Sequence, residues 1–147
     1  MLVFSLIKVI PLSKFEDFMP SDKYTSVFTT DVLDKLLPPA RSNEFFEALF
    51  GDASEGAYDI SLKFEGQKER CLHFALQLNQ RPGQCLVCSL TQGLPAVFSR
   101  HPIINLAGIA KEVGKLIGHD KDEINWRLES TRQHSSALHT IPFIIEL

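Results

Sequence analysis

Cysteine is scarce in this sequence, three in 147 residues, and the number is odd. A secreted disulfide framework needs more thiols, in pairs, so reduced cysteines in a cytoplasm fit better. Basic residues are not in excess either: 15 Lys and Arg stand against 18 Asp and Glu, a formal net charge of −3. That balance lacks the basic footprint of a nucleic-acid binder. One tryptophan and two tyrosines do not make a base-stacking surface. Long apolar runs are missing as well. The opening MLVFSLIKVIPL is broken by Lys8 and ended by Pro11, short of the roughly 20 residues a membrane span needs. It carries neither the positive flank nor the small-residue cleavage site of a secretory signal. Absent too are Gly-x-Ser-x-Gly, a phosphate loop, a dinucleotide fingerprint and a helical His-Glu-x-x-His. No catalytic residue is proposed on that basis, and no cofactor, metal, nucleic acid or membrane partner is expected.

What is present is ordinary globular material, 44% hydrophobic and 22% charged, with 11 phenylalanines for a core. The length suits one domain. Residues 1–18 read as an appendage, either an added strand or a translated upstream extension, with Met19 as an alternative start. Residues 19–147 read as a single domain.

Along the chain the hydrophobic period changes twice. Thr29, Thr30 and Asp31 offer capping oxygens before the short helix VLDKLL, which Pro38 and Pro39 stop. Ser42 caps a second helix, NEFFEALF, ending at Gly51. Its face of Phe45, Phe46, Leu49 and Phe50 is wider than one groove needs, which predicts a helix sandwiched between the sheet and something else. From Tyr58 the period becomes two. YDISLKF points Tyr58, Ile60, Leu62 and Phe64 one way; LHFALQL does the same with Leu72, Phe74, Leu76 and Leu78. Gly66 to Glu69 turns between them, and Arg81-Pro82-Gly83-Gln84 has the pattern of a type II turn. CLVCSL reads as a third strand, TQGLPAVFSRHP as a loop, and INLAGIAKEVGKLIG as a helix capped by Asn105 and closed by Gly118. INWRLES and LHTIPFIIEL read as strands, the latter held to an edge or a bulge by Pro142. The predicted class is α+β: an antiparallel sheet, a three-strand meander plus two C-terminal strands, covered on one face by helices, in the order α-α-β-β-β-α-β-β.

Cys85 and Cys88 form a Cys-x-x-Cys, a spacing that can hold zinc or exchange disulfides. On a strand, residues three apart point to opposite faces, so Cys85 is expected outside and Cys88 in the core beside Leu86 and Leu90. Cys71 falls too far along the neighbouring strand to join either. His73, His134 and His139 could form a metal cluster with Cys71 only if the last strand lies beside the second. SRHP is the most site-like segment: Ser99, Arg100, His101 and the cap Asn105 precede a helix whose free N–H groups favour an anion. Its plain alternative is a loop fixed by Pro102 with two solvated side chains.

LLPPARSNEFFEALFGDASEGAYDI, RPGQCLVCSLTQGLPAVFSRHPIINLAG and LHTIPFIIEL together resemble a small bacterial family of uncharacterised proteins, over roughly residues 24–147. Some of its members carry the label of a pancreas/duodenum homeobox protein. This sequence has no Trp-Phe-x-Asn-Arg recognition helix and no basic arm, so it is not a homeodomain. The resemblance implies a bacterial cytoplasmic origin and no activity. Separately, the element order is similar to that of secretion-chaperone folds, which pair as dimers and bind extended client segments. The expected function is a non-enzymatic protein-binding or adaptor domain, acting as a homodimer or on a protein client. The alternative is a small-molecule or anion-binding protein, or a weak enzyme, with its site in the loop 91–102 around Arg100 and His101.

Overall fold

The computed structural model describes residues 22–87, 91–119 and 123–147. The N-terminal appendage, the start at Met19 and Cys88 lie outside them, except that the domain assigned from residue 19 is described from residue 22. The class is α+β, as expected. Helices α1 (Asp22–Thr25), α2 (Thr30–Leu36) and α3 (Ala40–Phe50) precede strands β1 (Tyr58–Lys68) and β2 (Cys71–Gln80). Helices α4 (Leu94–Arg100) and α5 (Leu106–Leu116) follow, then β3 (Trp126–Leu128), β4 (Arg132–Gln133) and β5 (Leu138–Glu146). The five strands form one antiparallel sheet in the order β1-β2-β5-β3, with β4 also on β5.

The period-two segments behave as the alternation demands. Tyr58, Ile60, Leu62, Leu72, Phe74, Leu76 and Leu78 are buried on the helix-covered face, with Phe64 half-buried beside them. Pairing β2 with β5 aligns Leu72, Phe74 and Leu76 with Ile145, Phe143 and Ile141. An aromatic row crosses the sheet there. Phe28 meets Phe64 and Phe74 at 4.8 and 5.1 Å, and Trp126 meets Phe143 edge-on at 5.8 Å. Each buried ring contributes about 1.5–3 kcal/mol through removal from water.

The CLVCSL strand is the main correction over its described half, residues 85–87; residues 88–90 lie outside the described residues. Cys85 is exposed, Leu86 fully buried and Val87 48% exposed, so the in-out alternation persists. No ladder forms at 85–87, because both edges of β2 are already taken, by β1 and by β5. Leu86 instead gives its N–H to the Gln80 side chain at 3.1 Å. The Arg81–Gln84 turn is as expected, with Gln84 N–H on the Arg81 carbonyl at 3.1 Å and Gly83 at φ 78°.

Three smaller differences have local causes. β1 runs to Lys68 through an irregularity between Phe64 and Gly66, so the turn is Glu69-Arg70, with Glu69 at φ 58°. Ser42 is not a cap. It sits buried within α3, where its hydroxyl oxygen accepts from Ile60 N–H at 2.8 Å and blocks the free edge of β1 at that residue. Pro142 lies in a central strand. Its carbonyl accepts from Glu129 N–H, so its missing N–H points at residues 129–131, where a register shift already separates β3 from β4. The bulge half of the expectation is the one realised.

Candidate functional site

TQGLPAVFSRHP is helical rather than a loop: a 3-10 turn at Thr91–Gly93 runs into α4. Pro95 falls in the first turn, where its missing N–H costs nothing. SRHP is therefore the end of one helix, not only the approach to the next. Ser99 spends its hydroxyl on the Pro95 carbonyl at 2.7 Å. Arg100 is exposed in the last turn, where a cation suits the negative end of the helix. The His101 ring stands edge-on to Phe45 at 4.8 Å, and its Nδ1 accepts from Ile103 N–H at 3.3 Å. These three do not converge on one point.

Asn105 does reach a site. It takes a left-handed conformation at φ 50°, and its Oδ1 accepts from Gly108 N–H at 3.2 Å, capping α5 as expected. A Cβ on residue 108 would overlap the Asn105 side chain, so the cap requires glycine there. Beside it runs a groove of about 540 Å³ between α2 and α5. Val32, Leu36, Ile109 and Leu116 form its apolar lining; Lys35, Arg41, Asn105 and Glu112 stand around it. Of Leu116 and Ile117, the two residues whose helical spacing could continue the apolar face, Ile117 packs against the core, while Leu116 is 45% exposed and lines this groove.

The charges of the groove are unequal in their commitments. Arg41 donates from Nη1 to the carbonyls of Ile103 and Ile104, at 3.1 and 3.3 Å. Those bonds fix the guanidinium without neutralising it. Glu112 pairs with Lys115 at 3.6 Å. Among the described residues, neither Lys35 nor Arg41 enters an ion pair. Lys35 and Arg41 escaped the sequence reading because nothing local marks them.

A second cleft, of about 670 Å³, lies between Gln92–Ala96 and the bulged segment Leu128–Arg132. It is the pocket a ligand site in the 91–102 segment would need, but Ser99, Arg100 and His101 do not line it. Its charged members neutralise each other: Glu129 faces Arg132 and Arg127, each at 3.8 Å.

The last strand does lie beside the second, the condition set for a histidine cluster. Register separates the members. His73 faces Ile144, five residues from His139, or about 17 Å at ~3.3 Å per residue. Among the described residues no three metal-capable side chains gather. Two hydroxyl–imidazole pairs exist, Thr91 with His139 at 2.6 Å and Thr140 with His134 at 2.7 Å. Both hydroxyls belong to buried residues, which leaves a substrate no approach. Burial and the neighbouring His134 push the His139 pKa below its ordinary value.

Compared with protein-family models, with curated proteins and with solved structures, the chain matches none. Among the described residues no helix is long and apolar enough to cross a membrane.

Proposed function

We propose that the chain is a non-enzymatic protein-binding module, and that the α2–α5 groove receives an apolar client segment bearing a carboxylate. The observation that carries this reading is an apolar floor flanked by two cations without ion-pair partners among the described residues. An apolar side chain in the groove would be removed from water, and a carboxylate there would meet the Arg41 guanidinium, already held by two carbonyls, with the Lys35 ammonium beside it. The N-terminus of α5 adds a favourable partial charge. The ligand reading around Arg100 and His101 has less support, since the Ser99 hydroxyl and the His101 Nδ1 are spent within the chain.

The test is selection of a random displayed-peptide library on the full chain. Enriched sequences should combine large apolar residues with Asp, Glu or a free C-terminus. No enrichment, or enrichment of basic peptides, contradicts the reading.

Self-association has its own support. The wide face of α3 is not sandwiched: Leu49 and Phe50 are 50% and 56% exposed, and the Phe50 ring stacks on Phe46 at 5.9 Å. Two adjacent large apolar side chains held this way suit a second copy of the chain. Light scattering should give a dimer that Phe50→Glu converts to monomer; a monomer at micromolar concentration removes this part of the reading.

A further inference from the structure

A chain of buried polar groups joins three elements at one end of the sheet. Thr131, in the bulge, donates its hydroxyl to the Thr91 carbonyl at 2.7 Å. The Thr91 hydroxyl in turn meets His139 Nδ1 on β5 at 2.6 Å. Thr91, Thr131 and His139 are 3%, 7% and 2% exposed. Thr91 opens the segment that becomes α4, so this segment is tied to the sheet through both its hydroxyl and its carbonyl. The far nitrogen of the same imidazole, Nε2, is buried and has no hydrogen-bond partner among the described residues.

That orphan decides what the knot tolerates. A neutral imidazole bonds Thr91 through Nδ1 and leaves at most one nitrogen unmet. The imidazolium carries donors on both nitrogens and a charge; Nδ1–H can donate to the Thr91 hydroxyl, but among the described residues the buried Nε2–H would have no acceptor. The groups around it offer no compensation. Leu78 stands opposite on β2 and Gln133 on β4, and Gln92 follows Thr91. The charges on neighbouring elements are His134, itself a potential cation, and Arg132 paired to Glu129. Among the described residues no carboxylate meets the ring.

We propose that His139 is an acid-sensitive latch on the segment Thr91–Arg100: the imidazolium can still donate from Nδ1 to Thr91, but its buried charge and unmet Nε2–H are relieved when α4 leaves the sheet, while the strands stay paired. In the released state the imidazole is hydrated and titrates near its ordinary pKa of about 6.5. The latched state binds a proton less readily, so latching weakens as pH falls through that value. One proton sets the limit, up to about a tenfold rise in the released population per pH unit. The surface this would uncover includes Phe98, now fully buried against Phe45.

Hydrogen exchange on the full chain, corrected for intrinsic rate, tests this at pH 7.5 and 5.5. The His101 amide, bonded to the Val97 carbonyl, should lose about tenfold in protection at the lower pH, while amides in β2 and β5 hold theirs. His139→Asn keeps a polar atom where Nδ1 stands and cannot titrate, so its protection should be the same at both pH values. His134→Asn should keep the acid response. Imidazole NMR of the unaltered chain gives a second readout should the variant not fold, with His139 expected to titrate together with the loss of α4 protection. Parallel loss across the whole sheet, an acid response that survives in His139→Asn, or titration of His139 with α4 intact would each overturn the proposal.

Discussion

The two clefts differ less in size than in what their charges are doing. In the cleft over residues 128–132 the ions face one another: Glu129 stands between Arg127 and Arg132, and Arg127 also reaches Glu146 at 2.9 Å. A ligand there would have to displace pairs that already exist, for exposed partners whose individual worth is small. In the α2–α5 groove neither cation has a counter-charge among the described residues. Arg41 is pinned by two backbone carbonyls, and Lys35 lies in the last turn of α2. A surface with unpaired cations, one of them held in place, has interaction to offer a partner; one that has closed its pairs does not.

Removing the support under the groove gives the largest expected effect. Arg41→Ala loses two charge-assisted bonds to Ile103 and Ile104 and should cost about 2–3 kcal/mol of stability in thermal or urea unfolding. Arg132→Ala, which removes only exposed pairing, should stay within about 0.5 kcal/mol. Equal losses would erase the distinction between a built rim and an incidental one. A smaller effect is expected at the cap. Asn105→Ala forfeits the bond to Gly108 and puts a less tolerant residue at φ 50°, for about 1–2 kcal/mol. Asn105→Gly keeps the conformation and should cost only a few tenths of that scale. Smallest is the charge alone: Lys35→Gln should weaken a selected acidic peptide about three- to tenfold at low salt, and less at high salt, with stability unchanged. Arg132→Gln should leave the same affinity untouched.

Much of the scaffold was legible in the sequence because local rules and tertiary packing agreed. Alternation placed the inner faces of β1 and β2, Thr29 and Asn105 named their caps, and Pro82-Gly83 named its turn. Disagreement came where competition decides. Cys85, Leu86 and Val87 alternate as a strand does, but a strand also needs a partner, and β5 had already claimed the second edge of β2. Ser42 looked like a cap, yet its hydroxyl was recruited by Ile60 from across the fold. TQGLPAVFSRHP reads as a loop, yet its Gly93 and Pro95 sit at a helix start, where proline is tolerated. The groove was the least visible feature. Its sides come from residues 32–41 and 105–116, and no spacing in a single segment announces a surface that exists only once two distant helices lie together.

The measurement that reaches the central claim most directly is amide NMR shift mapping of the full chain with a selected acidic, apolar peptide. The account predicts saturable shifts concentrated at residues 32–41 and 105–116, largest around Lys35, Arg41 and Leu116, and abolished by Lys35→Glu with Leu116→Glu. Shifts centred instead on residues 92–96 and 128–132, or on Arg100 and His101, would contradict the assignment of the groove as the binding surface.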